Sequence, residues 1–208
     1  SSFGTGDYRI TSLRVQNIDG SQTAELRYDG YCVQEGKYSI TGLPAVYAQN
    51  GEAQTLMIRL SDPHSGLKVE LYYGILEELD VITRAVKITN PGTGRFVLQK
   101  AASMNLDWEY GDFEWISFYG RHSMEMNFQR ERVHHGIQSV GSVRGSSSHQ
   151  YNPFVILCEN GSHETMGSCY GFSFVYSGEF LIEAEKDQLD RTRLICGIHP
   201  DNFSWTLE

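Results

Sequence analysis

Four carboxylates, Asp107, Glu109, Asp112 and Glu114, crowd one short stretch and are interleaved with Trp108, Tyr110, Phe113 and Trp115. Two carboxylates flanking a scissile bond are the machinery of glycoside hydrolysis, and neighbouring rings are surfaces on which a sugar can stack. In a β-protein the simpler reading is a hairpin with a charged turn and buried rings, and that reading is adopted for this stretch. A second polar group runs from Arg144 to Asn152, where Arg144, Ser147, Ser148, His149, Gln150 and Asn152 gather a guanidinium, two hydroxyls, an imidazole and two amides. Such forked donors and acceptors suit sugar hydroxyls. The alternative is that Arg144, Gln150 and Asn152 tie down a long loop by bonding its backbone. A third group is Gly120-Arg121-His122, whose imidazole either donates to a ligand or is simply solvated.

Other chemistries find little purchase. His134 and His135 are adjacent, with His122, His149 and His163 in a modest window, but neighbouring residues on a strand point to opposite faces, so the pair cannot readily grip one ion. No metal and no cofactor are expected. The nucleophile elbow, the phosphate loop and the dinucleotide fingerprint are absent. Cys32, Cys158, Cys169 and Cys196 are scattered without a Cys-x-x-Cys pair, and they read as reduced core thiols, a disulfide being geometrically open but unforced. The sequons at Asn160 and Asn202 read as chance.

These residues need a scaffold, and 208 residues suffice for a substantial core. Period-two alternation with Gly, Asn and Pro punctuation recurs throughout, which predicts an all-β sandwich. Strands are expected over 8–18, 25–33, 54–60, 67–75, 80–89, 95–106, 112–119, 137–143, 153–158, 168–177, 180–186, 192–199 and 203–207. The clearest hairpin joins Val81–Ile88 to Phe96–Leu98 through Asn90-Pro-Gly-Thr-Gly94. So many strands curl or split into two packed sheets. With 26 acidic and 17 basic residues the net charge is −9, which disfavours nucleic acid and anionic membranes. The densest basic region, Arg130, Arg132 and Arg144 with His134-His135, is interrupted by Glu125 and Glu131 and reads as a solvated strand edge. No run of 18 apolar residues and no signal-like start are present, so a soluble, cytoplasmic chain is expected.

Three strings, RGSSSHQYNPF at 144–154, YGFSFVYSG at 170–178 and GIHPDNFSW at 197–205, resemble the amino-terminal domain of glycoside hydrolase family 36 α-galactosidases in order and spacing. The likeness extends through FGTGDYR at 3–9, GLPAVYA at 42–48, EAQTLMIRL at 52–60 and LDVITRAVKITNPG at 79–92. It implies a large two-sheet β-supersandwich, similar to the galactose mutarotase fold, with 1–208 as one amino-terminal domain whose first strands are missing. It also implies that the catalytic aspartates lie on a following barrel, so this chain by itself carries no catalytic residue. The chain would then pack on the barrel of the same polypeptide, helping to shape a galactoside pocket for melibiose- or raffinose-type substrates, and support a homo-oligomer. By the same resemblance Arg121, His122, Arg144, Ser147, Ser148, His149, Gln150 and Asn152 face the sugar or the domain interface. His122 departs from the family, where a tryptophan commonly follows this Gly-Arg or Gly-Ala.

Two other functions fit part of the pattern. A free-standing galactoside-binding module would expose Trp108 or Trp115. A sugar mutarotase would need a His and a Glu on the concave sheet face, and no such pair stands out by spacing.

Overall fold

The computed structural model describes residues 1–208, which divide into two compact units. The first comprises Ser1–Asp7, Thr11–Met104 and Phe203–Glu208. Its strands are β1 (Leu13–Gln16), β2 (Arg27–Glu35), β3 (Gln54–Ser61), β4 (Lys68–Leu76), β5 (Val81–Thr89) and β6 (Phe96–Trp108), the last passing into the second unit at Asn105. β2, β3, β4 and β5 form an antiparallel sheet in that order. Register sets Leu60, Val69 and Ile88 on one rung and Ile58, Leu71 and Val86 on the next rung of the same face. That face packs on Leu13, Val15, Leu67, Phe96 and Leu98, the core of this unit.

The opposite face is closed by a local segment. Thr55 Oγ1 donates to the Gly36 carbonyl (2.7 Å) and accepts from Tyr38 N–H (2.9 Å), which holds the Tyr38 ring 5.3 Å from that of Tyr72. Farther along the core-facing side the covering stops. Tyr31, Val33, Ile75 and Ile82 are exposed, and the Arg84 guanidinium lies 3.9 Å above the Tyr73 ring with its Nε buried and unpartnered.

The expected hairpin through Asn90–Gly94 is not formed. β5 bonds to β4, and the reversal between them is a 3-10 turn, Glu77–Leu79, ended by Asp80 in the left-handed region (φ 51°). β6 instead pairs with β1. Asn90 still braces its turn, donating to the Gly94 carbonyl and accepting from Gly92 N–H (3.1 Å). Turn chemistry specified a reversal, but both faces of β5 are apolar enough to leave its pairing partner undetermined.

The second unit comprises Tyr8–Ile10 and Asn105–Asn202. Its strands are β7 (Phe113–Arg121), β8 (Met124–Arg132), β9 (Gly136–Ser142), β10 (Tyr151–Glu159), β11 (Cys169–Ser173), β12 (Phe180–Lys186) and β13 (Thr192–Ile198). The chain then returns to the first unit as β14 (Trp205–Leu207), paired with β6. β11, β10, β7 and β8 make an antiparallel sheet in that order. Trp115 and Leu157 face each other across it, both buried. β12 and β13 form a hairpin in which Phe180, Ile182, Ala184 and Leu194 are wholly buried, and β13 is buried on both faces from Thr192 to Gly197. β9 runs beside β12 from a parallel bridge between His135 and Lys186.

The all-β expectation holds. β8 is not among the expected strands, but Arg130 and Arg132 do lie on a solvated sheet edge, as their spacing predicts. The stretch Asp107–Glu114 is not a hairpin either, because β7 bonds to β8 and β10 rather than to β6.

Candidate functional site

All eight residues singled out by sequence belong to the second unit, in the tip of the β7–β8 hairpin, the loop before β10 and, for Asn152, the start of β10 itself. The tip is shaped by a bulge. Tyr119 pairs with Asn127 and Arg121 with Met124, so Glu125 and Met126 together oppose Gly120. Met126 (φ 60°) and Ser123 (φ 63°) take left-handed backbone conformations to make the turn. A Cβ at Gly120 would stand 2.6 Å from the Met124 carbonyl oxygen and 2.8 Å from Glu125 Cα, so only glycine fits. Arg121 reaches Met124 Sδ at 3.1 Å, while the His122 ring is exposed.

The loop docks on this tip. Gly120 N–H donates to the Gln150 carbonyl (3.3 Å), and Asn152 Nδ2 lies 3.2 Å from Met126 Sδ. Within the loop, Arg144 Nη1 and Ser148 Oγ both donate to Gln150 Oε1, the latter at 3.4 Å. Ser147 is turned elsewhere, its N–H donating to the Ser177 carbonyl at 3.0 Å. Glu179 fastens the loop by accepting from Gly145 N–H and Asn202 Nδ2, each at 3.0 Å. Arg121, His122, His149, Gln150 and Asn152 thus share one rim, and Ser147 does not. Arg144, Ser148 and Gln150 are spent largely on each other. The exposed rings of His122 and His149 form no hydrogen bond within the chain, and Asn152 Oδ1 is buried without a donor.

The acidic-aromatic stretch is structural. Arg130 bonds Glu114 and Arg132 bonds Asp112, and these hydrogen bonds hold both carboxyls below the ordinary carboxylate range. A general acid needs a raised value, so neither is suited to that role. Asp107 meets Arg193 in a bidentate pair at 2.7 and 3.0 Å, and Arg193 is 3% exposed. Trp115 is buried. Trp108 packs at 5.5 Å from Phe113, 6.0 Å from Tyr170 and 6.1 Å from Phe172. Phe113 and Trp115 fill a core and Trp108 packs beside it, while Tyr110 stands 86% exposed. Of the adjacent histidines, His134 Nδ1 bonds the His135 carbonyl (2.9 Å) and His135 Nδ1 bonds the Asp187 carbonyl (3.0 Å), so both rings are tied to backbone.

The first unit also holds an open cleft of about 520 Å³ that the sequence does not announce, lined by Asn17, Asp19, Glu25, Asp62, His64 and Arg95, among others. Burial pushes the Asp62 carboxyl up, but N–H donors from His64 (2.9 Å), Ser65 and Glu25 (3.2 Å) outweigh it and leave it lowered. Its carboxylate therefore organises turns. The signal for it, Asp followed two residues later by a polar turn, is common to many loops.

The sequence profile of the glycosyl hydrolase family 36 N-terminal domain matches residues 1–208. The chain belongs to this family. It is similar to the bifunctional alpha-galactosidase/sucrose kinase AgaSK of Mediterraneibacter gnavus, 52% identical over 99% of the chain and 22% of that protein. It is also similar to the alpha-galactosidase AgaA of Geobacillus stearothermophilus, 40% identical over the full chain and 28% of that protein. Superposition on the galactosidase domain of AgaSK gives a TM-score of 0.96 over 99% of the chain and 29% of that structure. AgaA gives 0.97 over 100% and 29%, and a substituted form of AgaA has been solved in complex with raffinose. This family 36 N-terminal domain therefore spans less than a third of the length of these relatives.

Proposed function

We propose that this family 36 N-terminal domain is the non-catalytic β-domain of an α-galactosidase acting on terminal α-galactosides of the melibiose or raffinose type. The observation that carries the reading is coverage: the family profile takes in all of residues 1–208, whereas the α-galactosidases it resembles are more than three times longer. The carboxylates clustered near Trp108 support it from the chemical side, since arginine partners hold Asp112 and Glu114 as structural anions.

In this reading the domain packs on the catalytic barrel of its own polypeptide, and the rim formed by Arg121, His122, His149, Gln150 and Asn152 faces the barrel or the galactoside. Exposed apolar residues favour such packing. Tyr31, Val33, Ile75 and Ile82 lie on one sheet face of the first unit, and Tyr119, Met124, Met126, Phe128 and Tyr151 cluster by the β7–β8 tip of the second. Aromatic residues and Met are the types enriched at interface cores. A homo-oligomer built partly through these surfaces is part of the proposal. A free-standing galactoside-binding module is less well supported, because Trp115 is buried and Trp108 is packed among rings.

The test is hydrolysis of a nitrophenyl α-galactoside by the 208-residue chain and by the longer polypeptide that contains it. Turnover by the longer protein alone is expected, and Arg144→Ala there should raise KM or lower folding yield. Turnover by the 208-residue chain would overturn the proposal.

A further inference from the structure

Cys158 and Cys169 stand directly opposite each other on β10 and β11, with their Sγ atoms 2.9 Å apart. The next rung sets the type of this pair. Glu159 N–H donates to the Ser168 carbonyl at 2.9 Å, which makes Glu159 and Ser168 a hydrogen-bonded pair and Cys158 and Cys169 a non-hydrogen-bonded one. At such positions Cα atoms approach to about 4.5 Å, inside the range that a disulfide bridges without backbone movement. Cys169 is exposed and Cys158 is buried. The Arg130 guanidinium interacts electrostatically with both sulfurs. The thiolate is the form that attacks disulfides.

We propose that Cys158 and Cys169 form a reversible redox site that closes to a cross-strand disulfide on meeting a low-molecular-weight disulfide such as oxidised glutathione. The exposed Cys169 thiolate attacks one sulfur of the small disulfide, forming a mixed disulfide and releasing one small thiolate. Cys158, losing its proton to solvent, then attacks the Cys169 sulfur and expels the second. Two protein thiols give up two electrons and two protons, and one small disulfide becomes two small thiols. The partition of roles follows from access: Cys169 is the sulfur a solute can reach, whereas Cys158, buried and with its thiol pushed up to about 11 by burial and by its neighbour, is a poor first nucleophile and acts as the resolving thiol through its 2.9 Å proximity to the Cys169 sulfur. The product would clamp the turn between the two strands, where Ser162 is buried and its carbonyl already accepts from Arg130 (2.6 Å).

This site does not depend on the α-galactosidase reading, and its test does not use that activity. The purified protein is incubated with oxidised glutathione and followed by intact mass and peptide mapping. The expected result is the loss of two hydrogens, a linked pair of peptides containing Cys158 and Cys169, recovery of both thiols with dithiothreitol, and a Tm raised by roughly 5–10 °C in the oxidised form. Cys158→Ser should instead accumulate one glutathione on Cys169, while Cys32→Ser should still close the bridge. Four thiols still titratable after incubation, or a stable glutathione adduct on Cys169 of the unsubstituted protein, would overturn the proposal.

Discussion

Asp187 sits where β12 turns into β13 with its side chain wholly removed from water. Burial alone would push its carboxyl up, yet it is drawn down to about 2 by Arg191 and Leu189. Its oxygens accept from Leu189 N–H (2.9 Å), Arg191 N–H (3.0 Å), Arg191 Nε (2.7 Å) and the Tyr8 hydroxyl (3.2 Å). A carboxyl whose folded value lies below the ~4 of the unfolded chain stabilises the fold above pH ~4 and loses that contribution as pH falls toward 2. Asp187→Asn is therefore expected to cost about 2 kcal/mol at pH 7 and almost nothing near pH 2, a convergence that urea unfolding across pH would reveal. At Gly120 the constraint is steric. Gly120→Ala should destabilise by roughly 1–3 kcal/mol, because the blocking atoms are the backbone of Met124 and Glu125. A thermal melt of that variant within 1 °C of the parent would contradict the bulge, taking ~2–4 °C per kcal/mol for a chain of this size.

At the scale of strands, burial separates what the sequence made legible from what it hid. β12 and the first half of β7 alternate buried and less buried residues because one face of each meets a core, whereas β10 is marked by the apolar run Pro153–Cys158 and β4 by its apolar second half. β8 has no fully buried residue although Met124, Met126 and Phe128 alternate with Glu125, Asn127 and Gln129, so its period-two rhythm is present without a core behind it. The β5–β6 turn showed the complementary limit, since proline and glycine announce a reversal but not which sheet receives the next strand. The candidate loop was legible as a polar cluster. That Arg144 and Ser148 spend themselves on Gln150 was not, because those contacts depend on how Gly120 receives the loop. The same contrast predicts mutational sensitivity. Leu157→Ala on β10 should cost about 2–5 kcal/mol, whereas Gln129→Ala on β8 should stay within about 0.5 kcal/mol, both checked by urea unfolding.

For the molecule as a whole, a net charge of −9 opposes self-association while exposed apolar residues promote it. Phe128 at 67% and Tyr31 at 62% exposure lie on strands β8 and β2, each the edge of its sheet, so both edges offer unpaired backbone beside apolar side chains. Added salt screens the repulsion and leaves the apolar attraction, so light scattering should report a larger apparent mass at high ionic strength than at low. An unchanged monomer mass across the salt series would mean that these surfaces are too small to associate without further chain.

The six consecutive buried residues of β13 have a kinetic meaning as well. A strand shielded on both faces and hydrogen-bonded to β12 cannot release its amides by fraying, so deuterium reaches Arg193 to Gly197 only when the surrounding structure opens cooperatively. β13 thus acts as the molecule's internal clock for global unfolding, and the edge strand β8 records the far faster local openings.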